Sequence, residues 1–291
     1  MSNVSDEKSQ GGLKVTLSNL ARKVIPTPIK AMIGRRMTQG IAKKRPTVES
    51  TDGRHFKTIE DGLFFRVFYE GIYEPDLTSA FTKYLATDDT ILDVGASFGW
   101  YTTLFAKHAS GGKTIAYEPT PDTFDILEEN IVLNKMNESV VCKRLAVGEK
   151  EGTISFVRTD NSGLGHVVDE NDPNSISVPV ITVDSDASEF IGKTALLKVH
   201  VEGFELNVLK GSTELLATAP HPVVQVKLTD DRLERYGVSR NDIFDFLKAA
   251  GYDLYQLTSG GGAERSDSPT AHEIFGVGQG VYADRFKSIF G

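Results

Sequence analysis

A single cysteine, Cys142, is all the thiol chemistry this 291-residue chain has. No internal disulfide can staple it, which suits a reducing compartment. Cys142 stands in the strand-like run from Val140 to Leu145 and reads as a core residue, not a nucleophile. The six histidines lack the short paired spacings of zinc ligands, so no metal site is expected. No apolar run is long enough to span a bilayer. Residues 13–48 lack Asp and Glu altogether and hold nine Lys or Arg. With a net charge of −8 for the whole, this sets a basic arm ahead of an acidic body. Its apolar residues, Leu13, Leu17, Leu20 and Val24 and, past Pro26-Thr27-Pro28, Ile29, Met32, Ile33, Met37 and Ile41, recur at helical spacing. We read two short amphipathic helices that pack on the acidic body or, second in order, lie on a membrane surface; nucleic-acid contact ranks last. Charges scattered among the apolar positions do not fit a secretory signal.

Also missing is the GxGxxG loop of dinucleotide folds. What stands in its place is Thr90-Ile91-Leu92-Asp93-Val94-Gly95-Ala96-Ser97-Phe98-Gly99-Trp100, an apolar strand that ends in a carboxylate and a glycine turn opening a helix. Ser97 occupies the position where a pyrophosphate needs glycine, and Asp93 would repel a diphosphate. A ligand bearing an ammonium or a sulfonium would be welcome there, and S-adenosyl-L-methionine bears both. A second strand, Lys113 to Tyr117, delivers Glu118 twenty-five residues after Asp93, where a carboxylate can accept from both hydroxyls of a ribose.

The apolar and charged fractions, 40% and 25%, are those of a soluble globular protein, and the length suits one large α/β domain with an extension. The periodicity predicts a disordered leader over 1–12, the basic amphipathic arm over 13–54 and the main domain over 55–291. Within the last, the cofactor half covers about 86–160 and the substrate half about 178–291. Residues 55–70 read as a β-hairpin. A helix follows Glu74-Pro75 to about Leu85, and another runs from Pro121 to Asn134 with Thr120 as N-cap. Strands are expected at Val140 to Ala146, Thr153 to Val157, Val178 to Val183, Ala195 to Val201 and Val223 to Leu228. Phe204 to Lys210 reads as a helix, and Ser239 caps one running to Ala250. Tyr252 to Leu257 and the last apolar run, Glu273 to Val281, pair as a closing antiparallel hairpin.

Several blocks together resemble the FkbM family of S-adenosylmethionine-dependent methyltransferases. They are Tyr73-Glu74-Pro75, Leu92 to Ala96, Tyr117-Glu118-Pro119, Glu129-Asn130-Ile131, Leu145 to Gly148, Asn161-Ser162-Gly163, Val201-Glu202-Gly203-Phe204-Glu205 and Val208-Leu209-Lys210-Gly211. The likeness runs over about 56–257. It implies a Rossmann-like class I methyltransferase fold, with a mostly parallel central sheet, the closing hairpin and an N-terminal helical and hairpin extension. It also implies O-methylation of a hydroxyl on a sugar, glycolipid or polyketide-type acceptor, in a cytoplasmic protein or one peripheral to a membrane. Carried over, Asp93, Gly95, Ser97 and Gly99 would line the methionine end of the cofactor, with Tyr101 and Thr102 in the helix that follows and Glu74 reaching its ammonium. Glu118 would hold the ribose, and Ala146 and Val147 would flank the adenine. His200, Glu202 and Glu205 are the candidate catalytic groups.

Two positions depart from the family pattern. His200 stands where an aspartate is usual and Lys227 where a glutamate is common, both at carboxyl ends of central strands where ligands bind. The substrate pocket is therefore expected to be less negative, which suits an acidic acceptor or altered chemistry. The competing readings are a degenerate member that binds cofactor or partner without turnover and a nicotinamide-dependent oxidoreductase. For Glu205 the bland reading is a buried ion pair with Lys198, Lys210 or Arg144.

Overall fold

The computed structural model describes residues 46–58, 67, 70–158, 165–168 and 172–291. The leader, the helices expected over 13–45 and the Asn161-Ser162-Gly163 block lie outside the described residues. Strand β1 (Thr47–Glu49) turns through Arg54 into β2 (His55–Lys57), and the two pair antiparallel, Val48 opposite Phe56. The turn of the hairpin expected over 55–70 lies outside the described residues; within the described part, Phe56 pairs backward to residue 48, and Val67 and Glu70 have helical backbone. The strand is latched to the body by side chains that mimic a ladder. Lys57 N donates to Asn130 Oδ1 at 2.8 Å and His55 N to Asn134 Oδ1 at 2.9 Å.

The chain then alternates as its periodicity dictates. Helix α1 (Pro75–Tyr84) leads to β3 (Thr90–Val94), α2 (Trp100–His108), β4 (Lys113–Tyr117), α3 (Pro121–Leu133) and β5 (Val140–Lys143). At Arg144 it leaves the main sheet. Strands β6 (Ala146–Val147), β7 (Gly152–Arg158), β8 (Gly165–Val168) and β9 (Ile176–Ile181) form a separate four-stranded sheet in the order β6-β9-β7-β8. The single strand expected from Val140 to Ala146 is therefore two strands in two sheets. After the short α4 (Val183–Asp186) come β10 (Thr194–Val199), α5 (Glu205–Lys210), α6 (Thr213–Ala217), β11 (Val223–Lys227), α7 (Asp230–Glu234), α8 (Arg240–Ala249), β12 (Asp253–Thr258), β13 (Gly262–Arg265), β14 (Glu273–Val277) and α9 (Val281–Phe290). Ser239 caps α8 through a reciprocal box with Asp242.

The main sheet is ordered β13-β12-β14-β11-β10-β3-β4-β5, parallel from β11 to β5 and antiparallel from β11 outward through β14, β12 and β13. Its central strands are buried on both faces, which is why they read as continuous apolar runs. Alternate residues serve opposite layers. Ile91, Leu196 and Val223 join Phe81, Phe105 and Phe286 from α1, α2 and α9, while Leu92, Leu197 and Val224 join Val208, Leu215, Phe244 and Leu247 from α5, α6 and α8. Each such side chain contributes about 1.5–3 kcal/mol on burial. The closing hairpin expected from the sequence is present as β12 against β14 with β13 added at the edge, and the last apolar run ends at Val277 instead of Val281.

Among the described residues Arg54 is one of several charged side chains buried in the fold. Arg54 is only 2% exposed, with its guanidinium 4.3 Å over the Trp100 ring. It donates to Asp52 Oδ2 at 2.8 Å, Thr103 Oγ1 at 2.8 Å and the Trp100 carbonyl.

Candidate active site

The carboxyl ends of β3, β4 and β10 converge on one cleft. Its floor is the turn after β3. Gly95 has φ +78, and a Cβ there would lie 1.9 Å from the His200 carbonyl oxygen, so no other residue lets the ends of β3 and β10 close. His200 N donates to Val94 O, and Gly95 N and Ala96 N both donate to Tyr117 O, all at 3.0 Å. Gly99, with φ +89, caps α2 without a side chain, so the first amides of that helix face outward unserved by a side-chain cap.

Glu118 continues β4 and straps the loops together. Its Oε2 accepts from Ser97 N and its Oε1 from Thr120 N, each at 3.0 Å. Burial pushes its carboxyl above the usual range, and those backbone donors pull it back. Each oxygen retains acceptor capacity toward the cleft.

Asp93 plays a different part from the one the sequence suggests. It is fully buried and does not line the cleft. Lys198 Nζ lies 2.8 Å from Oδ1, and Thr102 Oγ1 donates to Oδ2 at 2.6 Å. Lys198 Nζ also donates to Gly95 O at 2.8 Å, so Asp93, Thr102 and Lys198 together anchor the turn from beneath. Of the residues carried over for the cofactor, Gly95, Ser97, Tyr101 and Glu118 border the cleft, while Gly99 packs against Leu127 behind it. Ala146 and Val147 border an adjoining apolar recess that shares Gly95, Pro119, Phe156 and Val201 with the cleft.

At the other end Glu74 is engaged by protein groups. Tyr101 Oη donates to its Oε2 at 2.7 Å and Lys227 contacts its Oε1. Lys227 also lies 3.4 Å from Glu273 Oε1, while Gln225 Nε2 donates to Glu273 Oε2 at 2.7 Å. Burial disfavours the Lys227 charge, yet Tyr73, Glu273 and Glu74 hold its pKa above the ordinary lysine range. Each cation here has its acid: Lys198 has Asp93, Lys227 has Glu74 and Glu273, and Arg232 has Glu202. Beside Lys227, Glu273 from β14 adds a carboxylate that the sequence pattern did not place there.

His200 and Glu202 line the cleft, with His200 Nε2 3.2 Å from Glu202 Oε1. Burial first, then Lys227, Lys198 and Arg232, hold the imidazole pKa well below its usual value, so the ring is neutral at pH 7. Glu205 faces away from the cleft. Its Oε1 accepts from Gly203 N at 3.1 Å and Val201 N at 3.3 Å, with no lysine or arginine pair, and burial raises it to about 7. Lys198 pairs Asp93 and Lys210 pairs Glu149, so the ion pair read for Glu205 is corrected to a backbone clasp.

Sequence reasoning missed Lys198, Arg232, Tyr73 and Glu273 as members of this site. Lys198 carried a signal: a lysine inside a doubly buried strand needs a partner, and the nearest central strand offers Asp93. Arg232 and Glu273 carried none, since only the tertiary fold brings them in.

A Rossmann-like parallel sheet with a carboxylate at the end of its second strand, a closing antiparallel hairpin and a cleft at the strand carboxyl ends defines a class I methyltransferase fold. The model of the methyltransferase FkbM domain matches residues 93–254, and the chain belongs to that family. It is 31% identical over 180 residues to the hexuronic acid methyltransferase AglP of Haloferax volcanii, covering 61% of this chain and 69% of that protein. It is 25% identical to the methyltransferase sdnD of Sordaria araneosa over 45% of this chain and 62% of that one. Among solved structures, methyltransferase FkbM from Methylobacillus flagellatus aligns at a TM-score of 0.43 and 14% identity, over 74% of this chain and 53% of that one. The chain thus spans under two thirds of the sdnD protein and about half of the Methylobacillus one.

Proposed function

We propose that the protein transfers a methyl group from S-adenosylmethionine to a hydroxyl oxygen of a sugar-type acceptor. The observation that carries this reading is Glu118, a buried carboxylate fixed by two backbone amides at the rim of a turn where Ser97 stands in place of the glycine a pyrophosphate loop needs. The residues fit the cofactor. Glu118 would take the ribose hydroxyls, the apolar recess by Ala146, Val147 and Phe156 would take the adenine, and the open amides of α2 would take the methionine carboxylate. Glu74 is taken up by Lys227 and Tyr101, so it shapes the methionine end instead of holding the ammonium outright. When bound, the cofactor supplies a methyl group activated by its sulfonium charge. The protein aligns the acceptor and removes its proton, and His200, neutral and facing the cleft, is the group for that task. Similarity to a hexuronic acid methyltransferase supports a sugar acceptor.

Calorimetry tests the cofactor assignment. S-adenosylmethionine and S-adenosylhomocysteine are expected to bind and NAD not to, and Glu118→Ala is expected to weaken S-adenosylhomocysteine about 10²-fold. That is two charge-assisted hydrogen bonds at about 1.5 kcal/mol each. Tighter binding of NAD, or an unchanged affinity in Glu118→Ala with the fold intact, would remove the assignment. Transfer of a labelled methyl group to a panel of neutral sugars, uronic acids and simple alcohols identifies the acceptor class.

A further inference from the structure

We propose that Glu202, held in place by Arg232, fixes His200 as the Nε2-protonated imidazole, so that Nδ1 is the atom that takes the acceptor proton. The inference rests on the methyl-transfer reading and adds to it the tautomer, the proton-accepting atom and two positioning residues.

The backbone is built to bring these three side chains together. Beyond β10 the His200 amide is tied to Val94 O, which sets the ring over the cleft. Glu202 has φ +61, a left-handed conformation uncommon for glutamate, and Gly203 follows at φ +107. A Cβ on Gly203 would lie 2.3 Å from the Arg232 carbonyl oxygen, so only glycine allows this turn to seat against α7. The close seating places the Arg232 guanidinium on Glu202 Oε2 and leaves Oε1 3.2 Å from His200 Nε2.

Proton counting assigns the tautomer. The charged groups near the ring are Lys198 from β10, Lys227 from β11, Arg232 from α7 and the Glu202 carboxylate, and burial first, then the three cations, keep the imidazole neutral. A neutral ring has one N–H, and a carboxylate held by arginine only accepts. The hydrogen is therefore assigned to Nε2, the nitrogen 3.2 Å from the carboxylate, where a bare lone pair would be repelled, and the lone pair to Nδ1. On transfer the hydroxyl proton would pass to Nδ1, the acceptor oxygen would bond the methyl group with the electron pair it keeps, and the pair of the broken methyl–sulfur bond would stay on the departing thioether. The imidazolium so formed is stabilised by Glu202 and returns the proton to solvent after product leaves.

The test begins with the protein free of cofactor. In 15N-histidine-labelled protein at pH 8, with His200 assigned through the backbone, long-range proton–nitrogen correlation should show Nε2 protonated and Nδ1 bare. A proton on Nδ1 overturns the proposal. The charge variants give a second reading that a purely structural role does not produce. Glu202→Gln removes a negative charge and should move the His200 titration further down. Arg232→Gln removes a cation, frees Glu202 for the imidazolium and should move it up. Shifts of the same sign, or none, overturn the proposal. In steady-state assays Glu202→Gln should lose about 10²-fold in kcat with little change in KM. Binding of S-adenosylhomocysteine by the wild type separates the two readings. If it fails, the methyl-transfer reading falls whatever the tautomer; if it holds and Nδ1 carries the proton, only the present inference falls.

Discussion

Lys198→Met is expected to destabilise the protein by about 3–5 kcal/mol, a large part of the 5–15 kcal/mol that holds a typical domain together. The pair it breaks is almost wholly removed from water, with Lys198 at 1% and Asp93 at 0% exposure. The substitution keeps the length of the side chain but leaves the Asp93 carboxylate with the Thr102 hydroxyl alone. It also takes the only side-chain donor shown for Gly95 O, so the turn that floors the cleft loosens as the strand does. Urea denaturation measures the loss, and a cycle with Asp93→Asn isolates the coupling. Because the double variant buries no lone charge, it should be more stable than Lys198→Met alone. Additive losses, or a single-variant loss under 1 kcal/mol, would show that the pair does not anchor the turn.

Replacing His200 by alanine is expected to slow methyl transfer by about 10²- to 10⁴-fold, a barrier increase of about 3–5 kcal/mol, with S-adenosylhomocysteine bound as in the wild type. The pH dependence follows from the direction of the pKa shift. The neutral ring is the working form, and burial with three neighbouring cations lowers its pKa, so the rate of the wild type should rise with pH along a limb below 6.5 and be flat from 7 upward. Stability carries the same sign. The unfolded chain binds a proton on this histidine at a pH where the folded chain does not, so its contribution is present above about pH 6.5 and is lost as pH falls toward the lowered value. If His200→Asp matches the wild type in rate and has no acid limb of this kind, the imidazole is not the base.

The parallel half of the sheet was legible because double burial writes itself as uninterrupted apolar residues. Thr90–Val94, Lys113–Tyr117 and Val223–Lys227 stand where the sequence places them. Elements with mixed signals were not. Tyr282, Ala283, Phe286 and Phe290 carry the spacing of α9, but the Gly278-Gln279-Gly280 break follows an apolar strand run and masks the change of period. The step from β5 to β6 was hidden because apolar residues resume at Leu145 just past Lys143 and Arg144, with no Gly or Pro between, while the pairing partner changes from β4 to β9. In the site, Glu118 was legible from its place after a strand. The engagement of Asp93 was not, since spacing along β3 cannot tell whether a carboxylate at its end faces a ligand or a lysine on the next strand. Glu205 shows the same limit: its partners are amides of its own turn, and backbone donors have no letter in the sequence.

Arg54 has a consequence for where the chain can be cut. Residues 46–54 lie ahead of the first parallel strand and look dispensable by position, yet they supply the cation that closes over Trp100 and serves the first turn of α2. Proteolysis before Pro46 removes none of these contacts. Proteolysis between Arg54 and His55 removes them all, exposes the Trp100 face and parts β2 from β1, its partner strand among the described residues, while Trp100 itself borders the cleft. A nick at that one bond would therefore register in ligand binding some distance away. Limited digestion followed by a binding measurement would trace the outer limit of the cooperative unit more sharply than any stretch of composition.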